Sequence, residues 1–90
     1  MLTRRTLIIN KLGLHARAAA KFVGVANRYK CEIRIGAAED NQVNGKSIMQ
    51  VMMLAAGKGS EVCITCVGED AEQAMGDLLA LIEDYFEEGE

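Results

Sequence analysis

Segments with strand-like alternation and segments with helical periodicity follow one another along the whole chain. The stretch EVCITCV at 61–67 alternates like a strand, whereas AEQAMGDLLALIEDYF at 71–86 repeats its apolar residues like a helix. We predict strands over 3–9, 31–35 and 61–67, and helices over 16–28, 48–55 and 71–86. Residues 36–42 are predicted to form a turn and the start of a further short strand, which ends at Asn44-Gly45. The predicted order is therefore β-α-β-β-α-β-α.

Mixed elements in a chain of 90 residues indicate the α+β class, with one sheet covered on one face by helices and partly wet on the other. Half of the residues are apolar but only four are aromatic, so we expect an aliphatic core in a single domain over 1–90. The predicted inward stripe of the last helix is Ala71, Ala74, Leu78, Leu81, Ile82 and Tyr85.

Charge is divided along the chain. Residues 1–60 carry all ten Lys and Arg, and residues 61–90 carry ten of the thirteen acids, which suggests a basic face for an anion or an acidic partner. No apolar run is long enough to span a bilayer and no secretory signal is visible, so we expect a cytoplasmic protein. Three cysteines argue against a disulfide framework.

His15, the only histidine, lies in the stretch NKLGLHARAAAKF just after a glycine, at the start of the first predicted helix. The first N–H groups of a helix lack internal partners and that end is partly positive, which suits an anion and favours a neutral, nucleophilic imidazole. Arg17 can place its guanidinium on phosphate oxygens. These residues suit a phosphoryl group on the ring, although a capping or surface role is commoner for this local pattern. A metal site lacks neighbouring ligands.

A C-x-x-C pattern is present at Cys63-Ile64-Thr65-Cys66, but it lies inside a predicted strand and not before a helix. Residues three apart in a strand point to opposite faces, so we expect Cys66 to pack inward with Val62 and Cys63 to face the other way. Because no second pair is present, we expect no metal and no cofactor.

The third candidate region is 47–54. Ser47 is either a plain helix cap or a regulatory phosphorylation site at a helix start, and the local sequence fits both. The following helix is apolar almost all round, so one side of it is either core or an exposed docking patch. We expect Val51 and Leu54 to point inward. The residues expected to point outward are Ile48, Met49 and Met52.

Two stretches, GLHARAAAKFV at 13–23 and GKSIMQVMMLAAGKGSEV at 45–62, together resemble the two signature regions of the HPr family of phosphocarrier proteins. The length and the order of elements also fit, so the resemblance covers essentially the whole chain. The lead IINKLGLHAR is most similar to the nitrogen-related branch of the phosphotransferase system, often called NPr.

The resemblance implies an open-faced β-sandwich of four antiparallel strands and three helices. It implies that Nδ1 of His15 takes a phosphoryl group from an enzyme I-type donor, itself charged by phosphoenolpyruvate, and passes it to a histidine of a IIA-type acceptor. Arg17 would steady the phosphate, and Ser47 falls where a serine kinase modifies some members. The implied docking residues are Ala20, Ile48, Met49 and Met52. Many members have proline where this chain has Ala18, which we expect to loosen the phosphate site slightly.

We therefore expect a monomeric phosphoryl carrier rather than a stand-alone enzyme, with protein partners and neither nucleic acid nor membrane, in the nitrogen-regulatory branch. Three alternatives stay open. One is a sugar-uptake HPr, and another is a regulatory binding module that uses the same surface without phosphoryl transfer. The presence of His15 counts against the module. The third, a thiol or metal protein using Cys63 and Cys66, has the wrong strand context.

Overall fold

Residues 1–89 are described by a computed structural model. The elements are β1 (Leu2–Leu7), α1 (Ala16–Ala26), β2 (Glu32–Ala38), β3 (Asn41–Asn44), α2 (Ile48–Met53), β4 (Glu61–Val67) and α3 (Ala71–Glu83), followed by a short 3-10 turn over Tyr85–Glu87. The predicted order is confirmed and β4 has the predicted bounds. Both α1 and α2 end two residues before the predicted positions 28 and 55.

The four strands form one antiparallel sheet in the order β1-β4-β2-β3. Within it, Ile64 of β4 lies opposite Arg4 of β1 on one side and opposite Ile35 of β2 on the other. The edge strand β1 exposes Arg4 and Arg5, and charges on an edge discourage pairing with another chain.

The core lies between one face of this sheet and the three helices. Ile33, Ile35 and Ile64 from the sheet pack with Phe22 of α1 and Leu78 of α3, and each has at most 1% of its surface exposed. Full burial of such a side chain stabilises the fold by about 1.5–3 kcal/mol. This layering confirms the predicted open-faced β-sandwich.

The opposite face of β4 is covered by a polar side chain. Gln42 of β3 lies there, and its Nε2 donates to the carbonyl of Cys63 and to Oγ1 of Thr65, both at 3.0 Å. Cys63 and Thr65 are therefore buried although they face away from the helices. Cys66 belongs to the helix-covered core and Cys63 does not, which agrees with the predicted alternation.

One side of α2 is left open. Val51 is fully buried and Leu54, just after the helix, is half-buried, so both point inward as predicted. The exposed residues are Ile48 (43%), Met49 (72%), Met52 (38%) and Met53 (77%). A short apolar helix thus presents isoleucine and methionine side chains to solvent.

The end of α3 differs from the prediction. The helix stops at Glu83, and Tyr85, Phe86 and Glu87 then adopt φ values of 58°, 53° and 65°. The prediction that Tyr85 points inward is wrong, because it is 39% exposed while Phe86 is completely buried. A left-handed turn breaks the helical periodicity and costs about 1–2 kcal/mol for each non-glycine residue. We call residues 85–88 the strap.

Candidate functional site

His15 is the N-cap of α1. Its carbonyl accepts the N–H of Ala19 at 2.8 Å, the first hydrogen bond of the helix. Its Nδ1 accepts the N–H of Arg17 at 3.3 Å, which is long for a bond of this type. With 27% of its side chain exposed, the ring lies at the surface of the helix start and not in the core.

The turn before His15 is fixed by Gly13 and Leu14. Gly13 has φ +69°, and a Cβ on it would lie 2.4 Å from the carbonyl oxygen of Ala56. Its N–H donates to the carbonyl of Asn10 at 3.2 Å, and the N–H of Leu14 donates to that of Ala56 at 2.8 Å. The loop therefore needs glycine here. Through it, the position of the ring is tied to the segment that follows α2.

Glu88 holds the other side of the ring. Its Oε2 lies 2.5 Å from Nε2 of His15, and its Oε1 accepts a hydrogen bond from Nδ2 of Asn10 at 2.9 Å. The fully buried Asn10 also donates to the carbonyl of Gly13 at 2.8 Å. Burial alone would raise the pKa of Glu88, but the hydrogen bonds from Asn10 and His15, with the charge of Lys21, outweigh it and lower that pKa. The carboxylate is therefore ionised at neutral pH.

These contacts assign the ring protons by chemistry. An ionised carboxylate can only accept, so Nε2 of His15 carries a hydrogen that it donates to Glu88. In the neutral ring, Nδ1 then has the lone pair that receives the N–H of Arg17. The nucleophilic nitrogen therefore faces the positive end of α1.

A basic cleft of about 370 Å³ lies beside this ring. Its lining residues are Lys11, Leu12, Arg17, Lys21, Glu87 and Glu88. Lys21 also reaches the strap, since its Nζ donates to the carbonyl of Phe86 at 2.9 Å and lies 3.6 Å from Oε1 of Glu87. The predicted clamp Arg17 is exposed at the cleft, where three cations outnumber two carboxylates.

Ser47 caps α2 in the way that His15 caps α1. Its Oγ accepts the N–H of Gln50 at 3.3 Å, so the capping role expected from the sequence is present. Ala20 is exposed on α1, which packs beside α2. The exposed side of α2 and Ala20 carry the residues for which the sequence predicts a docking role, and we call them the docking patch. Its residues are Ala20, Ile48, Met49 and Met52.

The three cysteines are buried free thiols. Burial raises the pKa of Cys66 to about 12 and also raises those of Cys31 and Cys63, which keeps them protonated at neutral pH. Within residues 1–89, no group of three histidine, cysteine or acidic side chains is placed to hold a metal ion. None of the helices in this part of the chain is long and apolar enough to cross a membrane.

Asn10 and Glu88 are candidates that sequence reasoning missed. Glu88 is 73 positions from His15, and it lies beyond the end of the last predicted helix. Asn10 lies inside the quoted loop, where an asparagine is an ordinary turn residue. The turn after α3 brings Glu88 to Asn10, and no periodic pattern in the sequence predicts that turn.

The fold and the site define a small open-faced sandwich that presents a half-exposed histidine at a helix start. The family model described as "PTS HPr component phosphorylation site" matches residues 2–84. A phosphocarrier protein HPr from Pseudomonas putida is 59% identical over 90 residues, with both chains fully covered. One from Cupriavidus necator is 52% identical over the same length, again with full coverage of both chains.

A crystal structure of HPr from Thermoanaerobacter tengcongensis is similar to this fold with a TM-score of 0.91, at 40% identity and 98% coverage of each chain. The chain therefore belongs to the HPr family and is a phosphocarrier of the phosphotransferase system. The family implies enzyme I-type and IIA-type proteins as partners.

Proposed function

We propose that Nδ1 of His15 is the phosphoryl acceptor of a cytoplasmic relay from an enzyme I-type donor to a IIA-type acceptor. The observation that carries the proposal is the orientation of the ring, with Nδ1 facing the N–H of Arg17 and Nε2 held by Glu88. In loading, the lone pair of Nδ1 attacks phosphorus while the bond from phosphorus to the donor's nucleophile breaks and leaves its electron pair on the donor. In unloading, a histidine of the acceptor attacks and the pair returns to Nδ1.

Arg17 contributes twice to the loaded state. Its backbone N–H, released from Nδ1, donates to a phosphoryl oxygen at the helix start. Its guanidinium forms charge-assisted hydrogen bonds to the same group, for which its fork geometry is suited. Lys11 and Lys21 add positive charge from the cleft. They also favour encounter with an acidic protein surface.

The docking patch supplies the apolar centre of the contact with each partner. Its methionines are flexible and polarisable, so one surface can fit both a donor and an acceptor. A relay needs interfaces that form and separate quickly, and a small apolar patch is suited to that. The helix α1, which begins at the ring, packs against α2, which carries most of the patch.

The direct test uses an enzyme I-type donor and labelled phosphoenolpyruvate. We expect His15→Ala to take up no label, and Arg17→Ala to take it up about tenfold more slowly because a charge-assisted contact is lost. Arg28→Ala is the matched control, since Arg28 is an exposed arginine just beyond the far end of α1. Label retained by His15→Ala would contradict the proposal. Partner binding that does not depend on the state of His15 would support a regulatory module instead.

We further propose that the relay serves the nitrogen-regulatory branch. Support comes from the resemblance of IINKLGLHAR to that branch, while the curated relatives bear the name HPr without a branch. The test is to present the phosphorylated chain to a nitrogen-type and a sugar-type IIA protein in parallel. Faster transfer to the nitrogen-type acceptor is expected, and preference for the sugar-type acceptor would overturn this part.

Ser47 is the proposed regulatory site, modified by a serine kinase. A phosphate there would add about two negative charges beside the docking patch, at a helix start that tolerates them. We expect Ser47→Asp to slow loading of His15 by an acidic donor while leaving the circular dichroism spectrum unchanged. Unaltered loading would remove the regulatory role and leave Ser47 as a cap.

A further inference from the structure

We propose that Glu88, held by Asn10, is a positioning residue that fixes the proton of His15 on Nε2 and keeps it there when the ring carries a phosphoryl group. The inference rests on the proposed role of His15. It adds a residue from the far end of the chain to the site and gives that residue a defined effect on the transfer.

The geometry uses both oxygens of the carboxylate. Oε2 lies 2.5 Å from Nε2 of His15, and Oε1 receives the Asn10 amide at 2.9 Å. Because Asn10 is fully buried and also bound to the carbonyl of Gly13, the carboxylate is attached to the loop that carries the ring. A carboxylate fixed on one nitrogen of an imidazole sets the tautomer and leaves the other nitrogen as the nucleophile.

The backbone conformation of the strap places Glu88 against His15. Its three consecutive residues with positive φ, from Tyr85 to Glu87, are strained for side chains other than glycine. They are held by the buried ring of Phe86 and by Lys21, which donates to the carbonyl of Phe86 at 2.9 Å. The outcome of this anchored, strained turn is the placement of Glu88 against His15.

The contact between Glu88 and Nε2 affects how readily the phosphoryl group leaves His15. When a ring with its hydrogen on Nε2 is loaded at Nδ1, the product is a cationic phosphorylated imidazole. If the acceptor then attacks phosphorus, the electron pair of the P–N bond returns to Nδ1 and the ring leaves as neutral imidazole. Loss of the Nε2 proton beforehand would make the ring leave as an anion, which is a far poorer leaving group. Glu88 stabilises the cation and so keeps the phosphoryl group transferable.

Other charges face the same corner. Lys11, Arg17 and Lys21 contribute positive charge from the loop and α1, and Glu87 contributes a second carboxylate from the strap. The three cations repel a positively charged imidazole and therefore destabilise it. Lys21 also pairs with Glu87. Of these charged side chains, Glu88 is the one that contacts Nε2 of the ring, so its effect should differ from that of a carboxylate on α3.

Two variants test the two effects of Glu88 separately. One effect is to place the proton of unphosphorylated His15 on Nε2, and the other is to stabilise the positive charge of the phosphorylated ring. Glu88→Ala removes the acceptor, and ¹⁵N NMR of the unphosphorylated chain should show wild-type His15 as the Nε2–H tautomer and the variant as a mixture. Glu88→Gln keeps an oxygen acceptor but no charge. Its phosphorylated form should hydrolyse several-fold more slowly at neutral pH, with the pH profile of hydrolysis moved to lower pH.

The matched control is Glu83→Gln, which removes one exposed carboxylate from the end of α3. It should leave the tautomer and the hydrolysis profile as in the wild type. An unchanged tautomer in Glu88→Ala, or equal lifetimes in Glu88→Gln and Glu83→Gln, would overturn the proposal. The tautomer measurement needs no phosphorylation, so failure of wild-type His15 to take up label would contradict the proposed function separately.

Discussion

The starts of α1 and α3 both carry a polar side chain at the N-cap, but they use it differently. His15 makes a long bond to its own helix and keeps part of its ring exposed. Asp70 makes no side-chain bond to α3 and instead accepts the N–H groups of Lys30 at 2.9 Å and Cys31 at 3.0 Å, which precede β2. One helix start is left available to a ligand, whereas the other is committed to joining two parts of the fold.

The electrostatics follow the same division. The N–H of Lys30 is the main cause that lowers the pKa of Asp70, and bonds from Cys31 add to it against the effect of burial. Glu88, which serves the start of α1, also has a lowered pKa, but two of its partners are side chains, Asn10 and His15. Backbone partners cannot leave without local unfolding. A side-chain partner such as His15 can change its chemical state.

The largest effect is expected from removing the anchor of the strap. Phe86→Ala deletes a fully buried aromatic side chain and should lower the free energy of unfolding by about 3–5 kcal/mol in urea titrations. Tyr85→Ala, one residue away and partly exposed, should cost less than about 1 kcal/mol. Similar losses for the two would mean that the buried and exposed residues of the strap were assigned wrongly.

A smaller effect, dependent on pH, is expected at α3. Because the folded-state pKa of Asp70 lies below its ordinary value of 3.8, its charge contributes stability above that value, and the contribution is lost as pH falls through the lowered one. Asp70→Asn should therefore unfold at lower urea than the wild type at pH 7, with the gap closing in acid. Glu69→Gln is the neighbouring exposed control. A gap independent of pH would show that the charge is not involved.

The cap of α2 should contribute less. Ser47→Ala loses the bond to the N–H of Gln50 and should cost about 0.5–1 kcal/mol in the same titration, near the lower end for caps because the helix is short and exposed. Ser47→Gly should cost only a few tenths. If the alanine variant were as stable as the wild type, the serine would be free for a purely regulatory role.

The smallest signal is local. The native wild-type chain at pH 8 should resist a thiol reagent that labels all three cysteines after unfolding, because burial keeps the pKa values of the thiols high. In Asp70→Asn, slow labelling should begin at Cys31, whose N–H loses its charged acceptor. Mass spectrometry of digested protein locates the label. Rapid labelling of Cys63 and Cys66 in the native chain would revive the thiol hypothesis.

Local patterns predicted much of the fold. Alternation placed β4 at its observed bounds, and the division of α2 into an inward Val51 and an outward Met49 followed from spacing alone. The strap was missed for a physical reason: helical periodicity was extended through Tyr85, but the backbone changes hand there. Glu88 was missed because its partner is distant in sequence, and a contact that depends on a turn leaves no periodic trace.

The dual use of Nδ1 on His15 has a consequence for recognition. The atom proposed to carry phosphate is the same atom that receives the Arg17 N–H in the unloaded chain. Loading therefore exchanges one acceptor for another at the first turn of α1, and the amide of Arg17 reports the exchange. A partner that contacts this turn can distinguish the phosphorylated carrier from the unphosphorylated one without any movement of the sheet or the helices.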